Sequence, residues 1–77
     1  MELIVISPEG VQLKETADRV TLPGTVGPFS VLRNHIPFVS TLEKGKIIYV
    51  RDKKIMNYSI DGGIMFVEDN IVHVMIE

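Results

Sequence analysis

The sequence predicts an all-β domain, a small antiparallel β-sandwich of about nine to ten short strands in two sheets. Three observations lead there. Clusters of Gly, Pro, Asn and Asp punctuate the chain at short, fairly even intervals. Between them lie short runs rich in Val, Ile, Thr, Tyr and Phe. No stretch sustains the i, i+3, i+4, i+7 apolar face that a helix buries.

The elements follow in order. Leu3–Ser7 is an apolar run stopped by Ser7-Pro8-Glu9-Gly10, where Pro presets φ and Gly supplies a positive one. Val11–Thr16 and Asp18–Leu22 come next, the second ending at Leu22-Pro23-Gly24. Phe29–Leu32 starts after Gly27-Pro28 and ends before Asn34-His35. The interval from Leu32 to Leu42 holds Pro37 and that Asn-His pair, which argues against a helix and leaves Phe38–Leu42 as a strand. Lys44-Gly45 leads into Lys46–Asp52, and Arg51-Asp52-Lys53 into Lys54–Asp61. Asp61-Gly62-Gly63 leads into Ile64–Glu68, and Glu68-Asp69-Asn70 into Ile71–Ile76. Short connections predict antiparallel hairpins between neighbours. Asp61-Gly62-Gly63 reads as one such hairpin turn, because no G-x-x-x-x-G-K and no helix accompany it.

The 77 residues form one domain, 1–77, with no linker, repeat or low-complexity segment. There is no cysteine, which removes disulfide frameworks, thiolate metal sites and cysteine nucleophiles together and fits a reducing compartment. Eight Lys+Arg stand against ten Asp+Glu, and no basic run exceeds Lys53-Lys54. Nucleic-acid binding needs a clustered positive footprint and stacking rings, so that class is excluded. The apolar runs Leu3–Ile6 and Ile47–Val50 are far too short to cross a membrane. The sequence therefore predicts a soluble domain that meets a membrane through a partner.

The strand faces give the first functional hint. In Lys54–Asp61, Met56, Tyr58 and Ile60 share one face while Asn57 and Ser59 share the other, the alternation of a half-exposed strand. Ile47, Ile48, Tyr49 and Val50 are apolar on both faces, as are Ile64-Met65-Phe66-Val67. In the last strand Val72, Val74 and Ile76 line one face, and Ile71 and Met75 the other with His73 between them. A two-layer sandwich buries only the inner face of each sheet. Either the domain's own loops cover the surplus apolar faces, or one outer face binds a protein.

Nothing proposes an active site. The two histidines are 38 positions apart with no cysteine to complete a zinc set. His35 reads as a turn residue bonded to backbone, and His73 as a structural or interface residue. The carboxylates Glu9, Glu15, Asp18, Glu43, Asp52, Asp61, Glu68 and Asp69 are scattered at strand ends and turns, with no forced pair. No catalytic, cofactor-binding or metal residue is assigned. One chemical alternative is a lipoyl or biotinyl carrier, whose modified lysine occupies a hairpin tip such as Asp52-Lys53-Lys54; lysines at a sheet edge also discourage aggregation.

The middle of the chain is more specific. The stretch from Leu22-Pro23-Gly24 through Phe29-Ser30-Val31-Leu32 to Asn34-His35-Ile36-Pro37 resembles the signature of the epsilon subunit of F-type ATP synthase. Ile6-Ser7-Pro8-Glu9-Gly10, Leu42-Glu43-Lys44-Gly45-Lys46-Ile47, Ile60-Asp61-Gly62-Gly63-Ile64-Met65-Phe66-Val67 and Asn70-Ile71-Val72-His73-Val74 are similar to its other motifs, in family order. The resemblance implies a ten-stranded sandwich that binds the gamma subunit and the membrane-embedded c-ring, on the cytoplasmic face of the bacterial inner membrane. It maps the c-ring contact onto Thr25, Val26, Gly27, Pro28 and Phe29, with His35 nearby, and gamma contacts near Ser7 and Ser40. Two positions depart from the family pattern. Ser30 stands where Gly is usual, and Pro28 replaces a commonly acidic or polar residue, stiffening the tip. The family usually continues into a C-terminal helical hairpin that inhibits ATP hydrolysis and in some members binds ATP. This sequence ends at Glu77, so the expectation is mechanical coupling without that arm, and without bound ATP or another cofactor.

Overall fold

A computed structural model describes all 77 residues and contains nine strands and no helix. They are β1 (Glu2–Ser7), β2 (Gly10–Thr16), β3 (Arg19–Leu22), β4 (Phe29–Leu32), β5 (Phe38–Leu42), β6 (Gly45–Arg51), β7 (Lys54–Ile60), β8 (Gly63–Glu68) and β9 (Ile71–Met75). Each sequence-predicted strand is present with its ends within a residue of those expected, since Gly, Pro, Asn and Asp set the boundaries. No helix is long and apolar enough to cross a membrane.

The strands form two sheets, one ordered β2-β1-β9-β8-β5 and the other β4-β3-β6-β7. Four connections are antiparallel hairpins, joining β1 to β2, β3 to β4, β6 to β7 and β8 to β9. The other four pass between sheets, so the expectation that neighbours pair holds for half of the chain. Asp61-Gly62-Gly63 is one of these crossings and not a hairpin turn: it carries the chain from β7 in one sheet to β8 in the other. Gly62 and Gly63 take φ of 138° and 156°, a backbone that L side chains rarely adopt. Gly63 also lies so close to the Met75 carbonyl that a Cβ could not fit. Sheet closure is the second departure from hairpin logic. β1 lies between β2 and β9 and runs parallel to β9, Leu3 beside Val72 and Val5 beside Val74. The first and last strands thus meet mid-sheet, a pairing that short-range turn signals cannot report.

Register assigns the faces, because cross-strand partners share one side of a sheet. Leu3, Val5, Val72, Val74, Met65 and Val67 point inward from the five-stranded sheet. Val20, Leu22, Val31, Ile47, Tyr49 and Ile60 meet them from the other. With Ala17 and Leu42 they make a core of 14 buried residues, continuous between the layers. The five residues outside glycine with positive φ all sit in turns: Asn34, Asp52, Lys53, Asp69 and Asn70. Two adjacent pairs, Asp52-Lys53 and Asp69-Asn70, fill two-residue hairpin loops of the type I′ kind, which requires positive φ at both positions.

Candidate functional site

The outer face of the five-stranded sheet carries two largely apolar rows, bordered by a third in which Ile71 lies between Glu2 and Glu68. Partner by partner, one row across it reads Lys14, Ile4, His73, Phe66, Val39. The next reads Val11, Ile6, Met75, Ile64, Thr41. Val39 is 66% exposed, Val11 61%, and Ile64 and Met75 about two-fifths. Ile4, Ile6, Phe66, Ile71 and His73 are half-buried. At the centre Phe66 and His73 stack, centroids 4.2 Å apart and planes 10° from parallel. The outer face of the other sheet is more interrupted: Arg19 lies between Leu32 and Val50, and Thr21, Ser30 and Asn57 surround Ile48. The exposure of Val11, Val39, Ile64 and Met75 goes against cover of this face by the domain's own loops.

The segment after β3 forms a second surface. It runs along the free edge of β5, pinned where Gly24 bridges Leu42, Thr25 N–H donates to the Thr41 carbonyl (3.1 Å), and Glu43 N–H to that of Pro23 (2.9 Å). The Thr25 and Thr41 hydroxyls share a further hydrogen bond of 2.7 Å. This single bridge stands where a tenth strand would pair. A turn closed by Gly27 N–H to the Gly24 carbonyl (3.0 Å) then puts Val26 at a fully exposed tip beside exposed Pro28.

Phe29 turns back inward against Phe38, edge to face at 5.3 Å, and His35 meets the same ring at 5.9 Å. Phe38 therefore joins Phe29 to His35, and sequence reasoning had given it no role. The His35 ring takes a 2.7 Å hydrogen bond with the Ile36 carbonyl, as its turn setting predicts. Ser30 occupies β4 with its side chain hydrogen-bonded to Thr21 at 2.7 Å, so no positive φ is needed where the family pattern has Gly.

The two remaining site candidates face inward. Ser7 is buried; its hydroxyl donates to Glu9 (2.8 Å) and accepts from Gln12 (2.9 Å), and the Ser7 bond holds the Glu9 carboxyl below its usual range. Ser40 shares the inner side with Met65 and donates to the Thr41 carbonyl at 3.0 Å. They stand on strands three spacings apart, about 14 Å. Their neighbours Ile6, Val39 and Thr41 are the residues that reach the outer face.

The family model for the β-sandwich domain of the ATP synthase delta/epsilon chain matches residues 1–77. The chain belongs to this family. The delta/epsilon-chain sandwich is 42% identical over 73 residues to the ATP synthase epsilon chain of Desulfitobacterium hafniense (strain Y51), covering 95% of this chain and 55% of that one. It is 38% identical over 77 residues to that of Nitratidesulfovibrio vulgaris (strain DP4), covering 100% and 58%. The chain spans just over half the length of these curated relatives. Its fold superposes on a chain of the Euglena gracilis mitochondrial ATP synthase, solved as OSCP, F1 and c-ring, with a TM-score of 0.87 at 26% identity, covering 96% of this chain and 48% of that one. A chain from the Tetrahymena thermophila central stalk and c-ring shares the fold at a TM-score of 0.77 and 17% identity, covering 99% and 62%. The Asp52-Lys53-Lys54 tip of the carrier alternative exists as a hairpin, but a delta/epsilon-chain assignment over the whole chain leaves that reading without support.

Proposed function

We propose that this delta/epsilon-chain sandwich is a non-catalytic docking module in the rotor stalk of an F-type ATP synthase. In this reading the outer face of the five-stranded sheet receives the gamma subunit, with Val39, Ile64, Phe66 and Met75 as the contact. Thr25–Phe29, backed by Phe38 and His35, meets the c-ring. Rotation of the ring then passes through a rigid sandwich to gamma and on to ATP synthesis, and the domain stays peripheral on the cytoplasmic face of the bacterial inner membrane. The observation that carries the reading is the run of exposed apolar residues on this sheet face, Val11, Val39, Ile64 and Met75 around the Phe66–His73 stack. The names of the relatives and the c-ring assemblies of the structural neighbours support the identity of the partners.

The test is co-elution of the chain with purified gamma subunit. A stable complex at micromolar concentration is expected, and its absence would count against the proposal.

A further inference from the structure

We infer that His73 makes docking on the five-stranded face depend on pH, weakening it as the pH falls through the range where imidazole charges. The inference rests on the reading of this face as the gamma contact. His73 sits in the middle strand of the five, in the row between Ile4 and Phe66. One side of its ring is taken by the stack on Phe66. Its nitrogens have no hydrogen bond within the chain, unlike those of His35, so water solvates them in the free domain.

No charged side chain lies directly opposite His73 on either neighbouring strand. From β1, Ile4 stands opposite with Glu2 and Ile6 to either side; from β8, Phe66 stands opposite with Ile64 and Glu68 to either side. Ile71 and Met75 flank it on its own strand. Lys14 lies two strands away in the same row, and the carboxylates of Glu2 and Glu68 belong to the row of Ile71. Neither carboxylate forms an ion pair with His73; the chain's two salt bridges are Arg33–Asp18 and Arg51–Glu15. A partner covering this row strips the water from the imidazole. A neutral ring tolerates that and keeps its contact with Phe66, whereas an imidazolium loses its hydration without a paired charge. Binding therefore favours the neutral ring, and by linkage protonation opposes binding.

The experiment measures affinity for purified gamma subunit at about pH 7.5, 6.5 and 5.5. The wild-type affinity should fall on the order of tenfold over that span, which brackets the ordinary charging range of imidazole. His73→Phe and His73→Gln should give flat profiles whatever their affinity, while His35→Gln should keep the fall. Thermal melts of the variants verify folding. Firm binding with a flat wild-type profile, an equal fall in His73→Phe, or tighter binding in acid (a partner carboxylate facing His73) would overturn the inference and leave the docking reading standing. No binding at pH 7.5 would instead remove the docking reading, and the inference with it.

Discussion

Asn34 and Asn70 hold each other across the domain. The Asn34 N–H donates to Asn70 Oδ1 (2.6 Å) and Asn70 Nδ2 donates to Asn34 Oδ1 (3.0 Å). Both residues have positive φ, 64° and 61°, a region that Asn tolerates better than other side-chain-bearing residues. The pair ties the β4–β5 connection, which carries His35, to the β8–β9 turn, while Asn70 also accepts from Glu2 N–H at 3.0 Å. One exposed contact thus fixes the loop between the proposed c-ring surface and the sheet proposed to receive gamma.

That pair predicts coupled losses. Asn70→Ala removes two side-chain hydrogen bonds and puts a less tolerant residue at positive φ, which should cost about 2 kcal/mol. Asn34→Ala should cost about 1–2 kcal/mol. In urea unfolding the double variant should lose about 1 kcal/mol less than the sum. Strict additivity would show that the two side chains do not support each other.

Gly24 should tolerate no side chain. A Cβ there would lie 2.7 Å from the Gly27 carbonyl oxygen and 2.7 Å from the Phe29 ring, which is held against Phe38. Gly24→Ala should cost about 1–3 kcal/mol and displace the Val26 tip. Crosslinking from a cysteine at Pro28 to the c-ring should drop while gamma binding persists. Unchanged stability and crosslinking would mean that the turn has room to relax.

Lys53 offers the opposite case. With φ of 67° in a two-residue loop, it occupies a position that suits glycine. Lys53→Gly should raise stability by up to about 1 kcal/mol, the relieved backbone strain outweighing the added chain entropy. A lowered urea midpoint would refute this.

How legible this was depended on the range of the interaction. Turn residues act locally, so the strand ends at Ser7, Leu32 and Leu42 could be read directly from Pro8, Asn34 and Gly45. The crossing at Gly62-Gly63 depends on which sheet a strand joins, and hairpin rules misread it as a turn; the parallel meeting of β1 with β9 lies beyond the reach of those rules. Surplus apolar residues in β8 and β9 signalled an outer contact, but naming the face required the register that puts Phe66 beside His73. Phe38 escaped notice because its role is to back Phe29 and His35 from a strand that joins neither.

Charges on the two outer faces should have unequal effects. Val39→Lys, Ile64→Lys and Met75→Lys place an ammonium on the five-stranded face at exposed positions, so stability should change by about 0.5 kcal/mol or less. Gamma binding should fall at least tenfold in each. Ile48→Lys and Ile55→Lys, on the other sheet, should bind as the parent does. Equal losses from both sets would place the contact elsewhere.

Alkaline pH should destabilise the domain through Tyr49. Its ring is buried in the core, and that desolvation, aided by the charge of Glu15, raises the phenol above the usual value of 10.0. A raised folded value means that the native state holds its proton more tightly than the unfolded chain. The contribution is whole below about pH 10 and is lost as pH climbs towards the folded value, because the unfolded phenol ionises first. Urea midpoints measured from about pH 8 to 11 should hold steady and then decline. Tyr49→Phe should decline less over the upper part of that range, since it has no phenol to ionise. Parallel declines in the two proteins would assign the alkaline loss to other groups.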